Sequence, residues 1–147
     1  MSFRQDMKGA RPKAEELVHA ELQRRGLHKT MEPLDSVILL DSGKVVLRES
    51  LFTGVLNRLR TSSGLPHQIT VPDFLWLQEK NPKLKPTIGL PAFLDGVVHK
   101  TDGNRRRDEW ISNRLTQLHF HILRFPYNSP SNRWVQSVVD DVEVFIR

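Results

Sequence analysis

Hydrophobic and polar positions recur along this chain with two different periods, and the changes of period mark out its elements. Ala14, Leu17, Val18 and Leu22 fall on one helical stripe. They predict a helix with Pro12 in its first turn, running to about Arg25 and stopped by Gly26. Glu15 lies at the edge of that stripe, Glu21 inside it, and Glu16 points away. Residues 1–10 read as a loose polar arm. Two β-branched runs, 37–40 and 45–48, flank the turn Asp41-Ser42-Gly43-Lys44 and predict a hairpin. Residues 49–60 return to helical spacing with Leu51, Phe52, Val55, Leu56 and Leu59. Gly54 weakens that helix by about 1 kcal/mol relative to Ala.

The centre of the chain is two mostly apolar strands, 69–77 and 87–99, joined by the polar, proline-punctuated segment 78–86. So short a connection predicts antiparallel pairing, with Asp73 of the first strand and Asp95 of the second near the same end of the pair. Pro72 implies that the first strand lies at an edge or starts its ladder late. Beyond a turn-rich loop, a helix is predicted over residues 104–117, with Ile111, Leu115 and Leu118 on one face and Trp110 at its flank. Asp108 lies about 20° from Leu115 on the helical wheel, so it phases with the core face. Trp76 and Trp110 are both read as core residues. Residues 119–125 alternate like a strand, residues 126–130 break the pattern, and residues 131–146 form a Val-rich helix capped by Ser131 or Asn132. The order predicts one α/β domain over residues 1–147, a small mixed central sheet flanked by helices.

Composition narrows the chemistry. A chain of 147 residues can bury roughly two-thirds of its unfolded surface. It is 38% hydrophobic and 27% charged, with no apolar run of membrane-spanning length, and its first residues lack the apolar stretch of a secretory signal. The absence of cysteine excludes disulfides, a thiol nucleophile and thiolate zinc. These features fit a cytoplasmic protein. The net charge of +5 and the basic clusters Arg105-Arg106-Arg107, Arg58/Arg60 and Lys80/Lys83/Lys85 fit a polyanionic partner. There is no phosphate-binding glycine loop, no dinucleotide fingerprint and no nucleophile elbow. The six histidines lack zincin spacing, and His119 and His121 read as an exposed polar strand face. An ionised carboxylate on a buried strand costs several kcal/mol unless it is paired or bound to a cation. Asp73 and Asp95 therefore cap turns, pair with arginines, or together hold a divalent cation through oxygen ligands.

Five segments, in order, resemble the PD-(D/E)XK nuclease superfamily and especially the very short patch repair endonucleases. Ala14-Glu15 followed by Leu17, Val18, Leu22 and Gly26-Leu27 resembles the family's first helix. Val71-Pro72-Asp73-Phe74 resembles its Pro-Asp strand, and Ala92-Phe93-Leu94-Asp95-Gly96 with His99 its second catalytic strand. Arg107-Asp108, then Leu115 and residues 118–125, resemble its Arg-Asp helix and following strand, and the terminal helix closes the set. Two departures stand out: Phe93 occupies the position of the superfamily's second acid, and no Lys follows it. Residues 41–66 have no counterpart and are a candidate family-specific insertion carrying target recognition or partner binding.

The resemblance implies a restriction-endonuclease-like fold and Mg²⁺-dependent hydrolysis of DNA phosphodiesters, with Mn²⁺ as a substitute and no zinc. Asp73, Asp95 and the Leu94 carbonyl are the implied metal ligands. His99 and Asp108 are the candidates for handling the attacking water or the leaving oxygen, and Glu15 for a second cation or for support of the first. Lys100, Arg105, Arg106 and Arg107 are the candidates for gripping phosphates. A nuclease-like module without catalysis, binding nucleic acid or assembling with other proteins, is the alternative that Phe93 and the missing Lys favour.

Overall fold

The computed structural model describes residues 13–52, 69–96 and 102–147. In chain order they form α1 (Lys13–Arg24), β1 (Ser36–Leu39), β2 (Val45–Leu47), α2 (Arg48–Phe52), β3 (Ile69–Thr70), β4 (Phe74–Leu77), β5 (Gly89–Gly96), α3 (Asp102–Gln117), β6 (Leu123–Tyr127) and α4 (Asn132–Ile146). Short 3-10 turns follow α1 at Leu27–Thr30 and β4 at Pro82–Leu84. The architecture is mixed α/β, with two three-stranded sheets. No helix among the described residues is long and apolar enough to cross a membrane.

In one sheet the order is β4-β5-β6, with β5 central. β5 pairs antiparallel with β4 (Phe74 opposite Ala92, Leu77 opposite Gly89) and parallel with β6 (Ala92 opposite Leu123, Asp95 opposite Pro126). α3 is the crossover that a parallel connection requires. The other sheet, β2-β1-β3, contains the expected hairpin, with Val37 opposite Val46. Burial on both faces of β5 explains why its sequence is nearly continuous in apolar residues rather than alternating. Side chains at Leu90 and Ala92 join Phe74, Trp76 and Phe125 in one core, covered by Val18 and Leu22 of α1 and Val135, Val138, Val139 and Val142 of α4. Phe93 faces the other way, into a second core with Leu75, Ile38, Leu40, and Ile111 and Leu115 of α3.

Several boundaries differ from the sequence reading. The tract 69–77 is not one strand. It divides at Val71-Pro72-Asp73, so that β3 pairs with β1 in one sheet and β4 with β5 in the other. Pro72, which has no N–H to donate, sits where the ladder is interrupted. The late start expected from it is what β4 shows. The last strand begins at Leu123 rather than His119 and runs through Pro126 to Tyr127. His119 adopts a positive φ of 70° at the end of α3, and Phe120 makes only an isolated bridge to Gly89. Both His119 and His121 are exposed, though outside any strand. Helix α2 covers Arg48–Phe52. The rest of the helix expected over 49–60, the turn after it and the arm 1–10 lie outside the described residues. Other expectations match: Gly26 closes α1 in the left-handed conformation (φ 75°), and the Ser131 side chain accepts the Trp134 N–H at 3.1 Å as the cap of α4.

A single guanidinium ties α1 to α4. Arg25 donates to Glu21 Oε2 at 2.7 Å, to Asp140 Oδ1 at 2.7 Å, to Glu143 Oε1 at 3.2 Å and to Gln136 Oε1 at 2.6 Å. Arg24 adds two bonds to the same Glu21 carboxylate, at 2.9 and 2.6 Å. This explains how Glu21 can lie within the apolar stripe of α1 and stay ionised. Hydrogen bonds from Arg24, with those from Arg25 and Gln136, hold its pKa at about 2 against the usual 4.5, although burial works the other way.

A depressed folded-state pKa gives stability that is complete above the unfolded value and lost as pH falls through the folded one. Urea denaturation between pH 5 and pH 2 is therefore expected to show stability declining across the interval from about 4.5 to about 2. Glu21→Gln should flatten that decline. A second expectation concerns Gly89, where an added Cβ would come within 2.9 Å of Leu77 Cδ2 and 3.0 Å of Phe120 Cε1. Gly89→Ala should lower stability by about 1–3 kcal/mol through overpacking, read as a reduced denaturation midpoint at unchanged slope.

Candidate functional site

The two strand aspartates lie at the same end of the sheet, where β4 begins and β5 ends. The Asp73 N–H donates to the Ala92 carbonyl at 2.9 Å, the last rung of the antiparallel ladder. One step further along β5, the Leu94 N–H finds no backbone acceptor opposite it, because the chain has turned away at Pro72. The Asp73 side chain fills the place: its Oδ2 accepts the Leu94 N–H at 2.7 Å. This short, charge-assisted bond pins the carboxylate in the plane of the sheet. Alternate residues of a strand direct their N–H and C=O to the same edge, so the Leu94 carbonyl also faces the Asp73 side.

Asp95 follows Leu94 and shares the face of Phe93, toward α3. Its carboxylate pairs with the Arg124 guanidinium of β6, with Nη1 at 3.2 Å from Oδ1 and 3.4 Å from Oδ2. The sequence reading did not single out Arg124. Its Nε donates to Ser112 Oγ at 3.0 Å and its Nη2 to the Asp108 carbonyl at 3.4 Å, both on α3. The guanidinium carbon lies 4.5 Å from the centroid of the Phe93 ring, a cation–π arrangement. Its one signal in the sequence was an arginine between Leu123 and Phe125, which in an alternating strand reads as an ordinary solvent-facing residue.

Glu15 enters from the opposite face. Trp76 Nε1 donates to the Leu27 carbonyl just beyond the C-terminal end of α1, at 3.0 Å, and the His19 ring lies 6.0 Å from that of Phe74. Helix α1 therefore runs in the same direction as β4, and Glu15, one turn before His19, lies toward the Asp73 end. It is 2% exposed, more buried than the stripe-edge position read from the sequence.

These placements sort the candidates. Asp73, Leu94 and Asp95 come together at one end of the β4–β5 pair. Asp108 approaches Asp95 through Arg124, by its backbone carbonyl. Glu15 comes to the same end of β4 across the other core. Arg105, Arg106 and Arg107 are exposed on α3. His99 and Lys100 lie outside the described residues. Among the described residues, no three His, Asp or Glu side chains are gathered closely enough to hold a metal ion. One expectation is corrected: Trp76 is fully buried, but Trp110 is 48% exposed. On the wheel it lies outside the inward stripe, about 160° from Asp108, 140° from Leu115 and 100° from Ile111. Arg106 and Arg107, four and three positions earlier, are its neighbours on the helix surface.

Compared with protein-family models, with curated proteins and with solved structures, the chain matches none of them.

Because Trp110 is half in solvent, Trp110→Ala is expected to change the free energy of unfolding by no more than about 0.5 kcal/mol, measured by chemical denaturation. A larger loss would place the indole in the core after all.

Proposed function

We propose that this protein is a divalent-metal-dependent DNA endonuclease with a restriction-endonuclease-like site of the PD-(D/E)XK kind. The observation that carries the reading is the hydrogen bond between Asp73 and the Leu94 amide, which holds the Asp73 carboxylate at the strand end where Leu94 and Asp95 also lie. Those donors suit Mg²⁺ chemically. They are hard oxygens, and Mg²⁺ is held by one or two carboxylates, waters and substrate phosphates rather than by a full protein cage. Asp73, Asp95 and the Leu94 carbonyl would hold the ion. When bound, it supplies polarisation of the scissile phosphate and a water acidic enough to attack near neutral pH.

The remaining roles fall to the chain's own groups. Asp108 or His99 would orient the water or accept its proton. Glu15, buried toward the Asp73 end, would support the metal ligands or hold a second cation. Arg105, Arg106, Arg107 and Lys100 would grip backbone phosphates, giving affinity that is independent of sequence and falls with salt. Trp110, exposed beside Arg106 and Arg107, offers a flat aromatic face on the same surface.

A second reading has an observation of its own. Phe93 and Arg124 occupy the side of the site next to Asp95, where a catalytic acid and base would be useful. A nuclease-like domain that binds DNA without cutting it would tolerate that arrangement.

Plasmid nicking with Mg²⁺ or Mn²⁺ separates the two readings. Wild type is expected to nick, and Asp73→Ala to nick more slowly by on the order of 100-fold or more. Intact plasmid with both proteins, alongside a salt-sensitive gel shift, would establish the non-catalytic binder instead.

A further inference from the structure

We infer that Arg124 is an internal competitor for Asp95: it occupies the carboxylate in the metal-free protein and so sets how much divalent cation the site requires. The inference rests on the reading of Asp73 and Asp95 as metal ligands and concerns the regulation of that site.

The contrast between two arginines supports it. Arg25, which fastens α1 to α4, makes three bonds of 2.6–2.7 Å to Glu21, Asp140 and Gln136. Those are the lengths of strong charge-assisted bonds. Arg124 meets Asp95 at 3.2 and 3.4 Å, through a single nitrogen rather than the two-pronged fork an arginine can offer. The pair is also less enclosed than Arg25–Glu21, with side-chain exposures of 25% for Arg124 and 15% for Asp95 against 13% and 9%. Such a grip neutralises a carboxylate and yields it readily.

The guanidinium is held in place by other means. Ser112 Oγ, the Asp108 carbonyl and the Phe93 ring fix it from α3 and β5. None of these contacts depends on Asp95. If Asp95 turns to a metal ion, Arg124 stays beside the site and its charge opposes the incoming cation. Without Arg124, Asp73 and Asp95 at this end of the sheet would attract that cation more strongly.

The test is Mn²⁺ binding by titration calorimetry on the full chain, without DNA. Arg124→Gln is expected to bind Mn²⁺ about fivefold tighter than wild type, the factor that follows from removing one partly exposed ion pair. Arg124→Lys, which keeps the charge, should stay within about twofold of wild type. In an Asp95→Asn background, Arg124→Gln should have no effect, because the competition needs the carboxylate. Equal or weaker binding by a folded Arg124→Gln protein overturns the inference while leaving the metal site standing. A gain that persists in Asp95→Asn overturns it as well. If neither wild type nor Arg124→Gln binds Mn²⁺ at millimolar concentration, the metal reading itself fails and the inference with it.

Should Arg124→Gln not fold, wild type decides. When Mg²⁺ is titrated into ¹⁵N-labelled protein, the Arg124 Nε–Hε resonance, assigned by its absence in Arg124→Lys, is expected to shift as the site fills. A resonance that stays fixed while the Leu94 and Asp95 amides move would overturn the proposal.

Discussion

The pairing of β5 along both edges is the constraint from which the arrangement of the candidate site follows. The strand is antiparallel to β4 on one side and parallel to β6 on the other, so the start of β4 and the C-terminal halves of β5 and β6 share one end of the sheet. Asp73, Asp95 and Arg124 arrive there from three separate parts of the chain. The ladder between β4 and β5 runs out one residue before β5 has finished exposing amides, and the Asp73 carboxylate completes it. A buried donor without a partner costs on the order of 1–3 kcal/mol, so that bond is part of the fold as well as of the site.

Arginine does two jobs in this molecule. At the far side of the core, Arg25 joins the first and last helices through one carboxylate on α1, just before it in the chain, and three acceptors on α4. At the site, Arg124 stands over an aromatic ring and makes only long bonds to its carboxylate. The same side chain is a fastener where its bonds are short, and an adjustable charge where they are long. The residue type alone does not distinguish these cases; the acceptors around it do.

Much of the fold was legible because the chain states its periods clearly. The apolar stripes of α1 and α4, the β1–β2 hairpin and the antiparallel meeting of β4 with β5 all came from spacing and turn residues. The division of 69–77 between two sheets did not, since three residues around a proline look the same whether a ladder pauses or changes sheet. The late start of β6 was hidden because His119–Ile122 alternates in polarity while His119 takes a left-handed backbone that no strand can include. For the site, Asp73 and Asp95 were singled out by being charges in apolar strands. Arg124 satisfied the same criterion and was passed over, because an arginine every second residue is what a half-exposed strand normally shows. Trp110 was assigned to the core from its place at the flank of an apolar face, yet a helix covering one sheet face has room inside for a single stripe. Ile111 and Leu115 fill it.

The break at Val71-Pro72-Asp73 has a mechanical meaning. These three residues are the only covalent link between β3, which belongs to one sheet, and β4, which belongs to the other. Any shear of the two layers against each other must be taken up in this joint, and one of its members carries the carboxylate that closes the ladder onto Leu94. A macromolecule that gripped the β1–β2–β3 layer would thus have a lever, a few ångströms long, on the position of Asp73.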